Sequence, residues 1–129
     1  MQEHPNATLV RTALEGQNAG DPTGVTALIA DDVVWHEIGR EEPIRGKEAL
    51  LARFAELGDA VEVNLDVHDV VGGDDHVVAL VTATARRGAD SLTYRVAEIA
   101  HIRDGMLVER WAFSDDTERI NRFFSQSEA

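Results

Sequence analysis

An α+β fold is what this sequence predicts, and two observations predict it. The first part of the chain carries apolar residues at helical spacing, interrupted by one strand-like run. The remainder alternates apolar and polar residues at period two in four successive runs, separated by glycine-bearing or charged turns. Helices grouped ahead of a run of strands give helices laid on one face of a curved, mostly antiparallel sheet.

The elements follow in order. Residues 7–19 predict a helix, with Ala7, Leu9, Val10, Ala13 and Leu14 as its apolar stripe and Gly20 as its end. Asp21-Pro22 reads as an N-cap followed by proline at the first helical position, opening a short second helix that buries Val25, Leu28 and Ile29. Residues 33–38 predict a strand. "GKEALLARFAELG", Gly46–Gly58, predicts a third helix, with Leu50, Phe54 and Leu57 at i, i+4 and i+7. Four strands come next. Val61, Val63, Leu65 and Val67 alternate with polar residues; "VGGDDH" is a turn; His76–Arg86, Leu92–Arg103 and Met106–Ser114 are the remaining runs. Asp104-Gly105 reads as a two-residue hairpin turn. A short terminal helix carries Phe123 and Phe124.

A length of 129 residues predicts one domain, spanning 1–129. The net charge of −12 would be repelled by phosphate backbones and anionic lipid, so neither nucleic acid nor a membrane is an expected partner. There are no cysteines, which excludes disulfides, thiolate metal sites and a cysteine nucleophile, and fits the cytoplasm. No basic region followed by a long apolar run opens the chain, so no signal peptide is expected. No histidine pair has ligand spacing on one element, and no phosphate-binding glycine loop is present, so neither metal nor cofactor is expected.

A two-residue turn at Asp104-Gly105 fixes a register. It pairs Arg103 with Met106, Ala100 with Glu109, Glu98 with Trp111, Val96 with Phe113 and Tyr94 with Asp115. Directly opposed residues share a face. One face would then carry Tyr94, Val96, Glu98, Ala100, Glu109, Trp111, Phe113 and Asp115, an apolar wall with a few polar groups, as a small-molecule pocket requires. Two readings stand for its carboxylates: pocket groups, or charges at a wet rim. The opposite face would carry Ala97, Ile99, Val108 and Ala112 flanked by Arg95, Arg110 and His101. An apolar face left to water is a liability, and a homodimer is expected to cover it.

The segment "NAGDPTGVTALIADDVVWHEIGREEPIRGKEAL" resembles the bacterial ketosteroid isomerases, in its "NAGD", "AL", "ADD", "EP" and following glycine. "RDGMLVERWAFSDD" resembles the SnoaL-like polyketide cyclases, in which a turn glycine, here Gly105, is followed ten residues later by an aspartate, here Asp115. Both groups belong to the nuclear transport factor 2-like superfamily. The resemblance implies a cone-shaped α+β fold of three helices packed on a curved sheet. By position it places Glu37 where the isomerases keep a proton-shuttling aspartate, and Asp115 where the cyclases keep an acid/base aspartate. Asp115 could equally cap the terminal helix, a role Asp116 could take instead. Ala13 and Ala100 stand where the isomerases carry their two oxyanion donors, so efficient steroid isomerisation is not expected. A related group, limonene epoxide hydrolase, sets an arginine between two aspartates; in the strict register Val96 stands beside Glu98 and Arg95 points away.

The candidate catalytic residues are therefore Glu37, Asp115 and His36. Trp35 and Glu37 share one side of the strand, and packing against Trp disfavours an ionised carboxylate by desolvation. His36 faces the other side unless a bulge turns it inward; an imidazole there suits proton transfer near neutral pH. Trp35, Tyr94, Val96, Glu98, Trp111 and Phe113 are the candidate binding residues. The function expected is cofactor-free acid/base chemistry on a small apolar carbonyl compound, isomerase- or cyclase-like. The alternatives are a non-catalytic ligand-binding domain on the same fold, and an epoxide hydrolase.

Overall fold

The computed structural model describes residues 3–126. Helix α1 spans Pro5–Asn18, α2 Thr23–Leu28 and α3 Lys47–Ala60, with α4, Thr117–Gln126, closing the chain. The strands are β1 Ile29–Trp35, β2 Ile44–Arg45, β3 Glu62–Gly72, β4 His76–Arg87, β5 Asp90–Arg103 and β6 Met106–Ser114. They form one six-stranded sheet in the order β2-β1-β6-β5-β4-β3. All neighbours are antiparallel except β1 and β6, which run parallel.

The element order matches the expectation, with differences at the ends. The four helices are those expected, the short terminal one included. The first strand begins at Ile29 and ends at Trp35, so His36 and Glu37 lie just past it in a loop. The two-residue strand β2 goes unseen in the sequence because it is too short to show a period. Helix α1 starts at Pro5, where the His4 Nδ1 atom accepts from the Asn6 amide and proline fills the first turn.

Helices α1 and α3 lie on the concave side. Ala7, Val10, Ala13 and Leu14 of α1 and Leu50 of α3 meet Val33, Val77, Ala79, Val81, Ala100 and Ile102 of the sheet. Leu50, Val33 and Val77 are fully shielded from solvent. Ala13 and Ala100 are both part of this core, so neither offers a polar side chain to a ligand.

One irregularity decides the chemistry of the sheet. Arg103 pairs with Met106 and Ile102 with Leu107, as a turn at Asp104 (φ 53°) and Gly105 (φ 76°) requires. Then a bulge intervenes between Ile102 and His101, and His101 pairs with Glu109, Ala100 with Arg110, Ile99 with Trp111, Glu98 with Ala112 and Ala97 with Phe113. One extra residue flips every side chain beyond it. Arg110, Ala112 and Ser114 therefore share the concave face with Ala100, Glu98 and Val96. Glu109, Trp111 and Phe113 lie on the outer face with His101, Ile99 and Ala97, which corrects the strict register.

Candidate functional site

Arg110 is the centre of the concave face's polar cluster. Its Nη2 donates to Glu98 Oε1, its Nη1 donates to the His36 carbonyl at 3.0 Å, and its guanidinium lies 4.3 Å from the centre of the Trp35 ring. The side chain is 11% exposed and Glu98 24%. Arg110 Nε is buried with no hydrogen-bond partner. Trp35 in turn meets Phe54 of α3 edge-on, with centroids 5.2 Å apart. A cation wedged between a carboxylate and an indole face gains from both.

Tyr94 stands further along β5 on the same face, its ring edge-on to Phe124 of α4. Burial pushes its phenol up to about 12, helped by the charge of Glu98 and opposed by that of Arg110. It remains a neutral donor, and none of the described residues takes its hydroxyl in a hydrogen bond. Val96, between Tyr94 and Glu98 in the alternation, is buried wall.

Glu37 lies at the point where β1 leaves the sheet. Its Oε1 accepts from Arg53 Nε of α3 at 3.1 Å. Its Oε2 is 3.0 Å from Arg40 Nε in an ion-pair contact, yet it is buried and receives no hydrogen bond. Two cations thus fix the carboxylate while one oxygen keeps its acceptor capacity. The side chain is 20% exposed.

Because β1 ends at Trp35, the edge of β6 beyond Arg110 is open. The loop 36–40 crosses in front of that edge and leaves a cavity of about 330 Å³, lined by His36, Glu37, Arg40, Trp111, Phe113 and Ser114 among others. Gly39 brings the loop against α4: its φ is 81°, and an added Cβ would sit 1.9 Å from Asn121 Oδ1. The hydroxyls of Ser114 and Thr117 form a 3.0 Å hydrogen bond in the same wall.

His36 does not turn inward. Its ring stacks on Trp111, 5.6 Å between centroids and 5° from parallel, and its Nε2 is 2.7 Å from Glu109 Oε2. Glu109 thereby orients His36. Trp111 therefore packs on His36 and not on Glu37, again through the bulge. On the same outer face, His76 and His101 stack at 4.9 Å. Among the described residues no three His, Asp or Glu side chains are placed to hold a metal ion.

Asp115 corrects a second expectation. It does not pair with Tyr94 on the concave face. Its Oδ1 accepts from the Arg95 amide at 3.1 Å and its Oδ2 meets Arg95 Nε at 3.0 Å, on the outer side. Those bonds, the backbone one first, hold its carboxyl below the usual range. Asp116 caps α4, accepting from the Arg119 amide.

The structure thus brings His36, Glu37, Trp111 and Phe113 to one cavity at the sheet edge. It sets Trp35, Tyr94, Val96 and Glu98 on the concave face, and it sends Asp115 to the outer side. Sequence reasoning missed Arg110, Arg53 and Arg40. Charge was the available signal for Arg110: the strict register would put Glu98 and Glu109 on one half-buried face, while a one-residue bulge gives each a cationic or imidazole partner.

Comparison with known proteins bears out the architecture. Bal32a, from a soil-derived mobile gene cassette, is 25% identical, with 92% of this chain and 95% of that one covered and a TM-score of 0.79. An LEH-like epoxide hydrolase of M. tuberculosis is 18% identical, with 93% and 90% covered and a TM-score of 0.78. A protein assigned as a SnoaL-like polyketide cyclase, from Jannaschia sp. CCS1, is 14% identical, with 94% and 95% covered and a TM-score of 0.77. These likenesses establish the cone-shaped nuclear transport factor 2-like fold. A search of curated protein sequences gave no match. The family model of the SnoaL-like domain matches residues 10–110, and the chain belongs to that family.

Proposed function

We propose that the chain is an acid/base enzyme that moves a proton on a small, mostly apolar carbonyl compound, in the manner of an isomerase or cyclase, without a cofactor. The observation that carries this reading is Glu37: a carboxylate held by Arg53 on one oxygen and in ion-pair contact with Arg40 on the other, which accepts no hydrogen bond, in the wall of a cavity that Trp111 and Phe113 also line. As general base, Glu37 takes a proton from the carbon next to the carbonyl, and the electron pair moves to the carbonyl oxygen. The Ser114–Thr117 hydroxyl pair has a proton left to donate to that oxygen, a role Ala13 and Ala100 cannot fill. His36, oriented by Glu109, is the second group able to carry a proton across the cavity. The volume of about 330 Å³ is near the lower end of ligand pockets, which suits a small compound.

The test is hydrogen–deuterium exchange at the α-carbon of a panel of small apolar ketones in D₂O, followed by NMR. The wild type should accelerate exchange, and Glu37→Gln should remove the acceleration while binding persists. Equal exchange in both proteins would sink the assignment of Glu37. Binding without any exchange in the wild type would support the non-catalytic ligand-binding reading.

A second reading is favoured by one observation. Arg110 donates to Glu98, so an inward arginine stands beside one carboxylate of the arrangement in which limonene epoxide hydrolase sets an arginine between two. Diol formation from small cyclic epoxides, lost in Glu98→Gln, would establish it.

A further inference from the structure

A second cavity lies away from the sheet edge, where the β4–β5 turn meets α4. Its volume is about 360 Å³, and three guanidinium groups line it: Arg87, Arg119 and Arg122. The chain has 12 basic residues against 24 acidic ones. Three cations gathered around one hollow run against that balance. Among the described residues the wall carries a single carboxylate, Asp90, whose contact with Arg87 is long at 3.8 Å.

The groups differ in what already holds them. Arg87 is fixed in place: its Nη1 donates to the Phe123 carbonyl at 2.7 Å and its guanidinium lies 4.4 Å from the Phe123 ring centre. Arg119 meets Asp116 only at 3.9 Å. Arg122 has no ion-pair partner among the described residues, and it is exposed. Ser91 adds a hydroxyl to the lining, and Leu92 and Phe123 add apolar surface.

We propose that this hollow binds a phosphate monoester. A carboxylate has two oxygens, and a single bidentate arginine satisfies them. Three guanidinium groups and a hydroxyl supply more donors than that, and they match the several acceptor oxygens and double charge of a monoester phosphate. Leu92 and Phe123 border the arginines and meet the organic part of the ester. The net charge of −12 works against a polymer of phosphates and leaves a small ester as the fitting ligand.

The experiment is a calorimetric titration of the whole chain with phenyl phosphate at low ionic strength, with inorganic phosphate and benzoate alongside. Phenyl phosphate should bind saturably and more tightly than either. Arg122→Gln should weaken it about tenfold, the worth of one charge-assisted hydrogen bond, and Arg119→Gln should act in the same direction. Both residues are exposed, so neither change endangers the fold. Four results overturn the proposal: no saturable binding, an affinity untouched by Arg122→Gln, benzoate binding as tightly as phenyl phosphate, or inorganic phosphate doing so. The readout is binding and does not depend on whether Glu37 is a catalytic base.

Discussion

Removing Glu98 tests the concave cluster most directly. Glu98→Leu leaves the Arg110 guanidinium with its Nη2 unpaired beside an Nε that already lacks a partner. Arg110 is only 11% exposed, so water cannot fully replace the lost carboxylate. Breaking a fully buried ion pair from one side costs about 3–5 kcal/mol, and an exposed pair contributes about 0–1. Glu98 at 24% exposure falls between these limits, which puts Glu98→Leu at roughly 2–3 kcal/mol. Arg110→Met removes the same pair together with the bond to the His36 carbonyl and the contact with Trp35, so its cost should be greater by about 1 kcal/mol. The double variant removes both charges at once. Its loss should fall short of the sum of the single losses by at least about 1.5 kcal/mol, because neither charge is then left unpaired. The assay is urea unfolding of the four proteins, followed by circular dichroism, with equal slopes required across the cycle. Single losses that add to within about 0.5 kcal/mol would show that the pair is uncoupled, and the argument from the bulged register would fail with it.

Four further outcomes are expected. Gly39→Ala forces a side chain into a left-handed φ of 81° and against Asn121, so it should cost roughly 1–2 kcal/mol or more and distort the rim cavity, read by urea unfolding and ligand titration. Tyr94 is the one tyrosine, and its phenol is raised to about 12; the stability tied to its neutral form is present below pH about 10 and lost as pH rises toward the folded value, so Tyr94→Phe should resist alkali better than the wild type, and a phenolate absorbance appearing near pH 10 would refute the burial argument. Asp115 has a depressed folded pKa, so its contribution is present above the unfolded value of about 3.9 and lost as pH falls through the folded one; Asp115→Asn should lower the melting temperature at pH 6 and have little effect at pH 2. A homodimer is proposed on the outer face, which carries Ala97, Ile99 and Trp111 and leaves Phe113 61% exposed; Ile99→Asp should weaken it, and light scattering showing a wild-type monomer at micromolar concentration would remove the idea.

The sheet and helices were legible because their signals are local. Leu50 and Phe54 recur at helical spacing, and the runs expected over His76–Arg86 and Leu92–Arg103 lie close to the strands β4 and β5. The candidate site was only half legible. Glu37 could be placed through the resemblance to the isomerases, although the strand of residues 33–38 expected to carry it ends at Trp35. Its cations could not be placed: Arg53 comes from α3 and Arg40 from the loop, and no period in the sequence points a loop arginine at a carboxylate. The bulge was the costliest omission. A hairpin turn fixes the register only as far as the ladder stays regular, and the adjacent apolar pair Leu107-Val108 marks where it stops. Past that pair, alternation alone puts Trp111 and Phe113 in the cone and Arg110 outside it. What overrides alternation is electrostatics across strands. With the bulge, Glu98 meets Arg110, Glu109 meets His36, and Asp115 meets Arg95. Without it, Glu98 and Glu109 share a half-buried face and repel, and Arg110 loses both its carboxylate and its indole. A reading that asks each candidate register where its charges find partners would choose the bulged one, and would move the proton-carrying groups from the cone's floor to its rim.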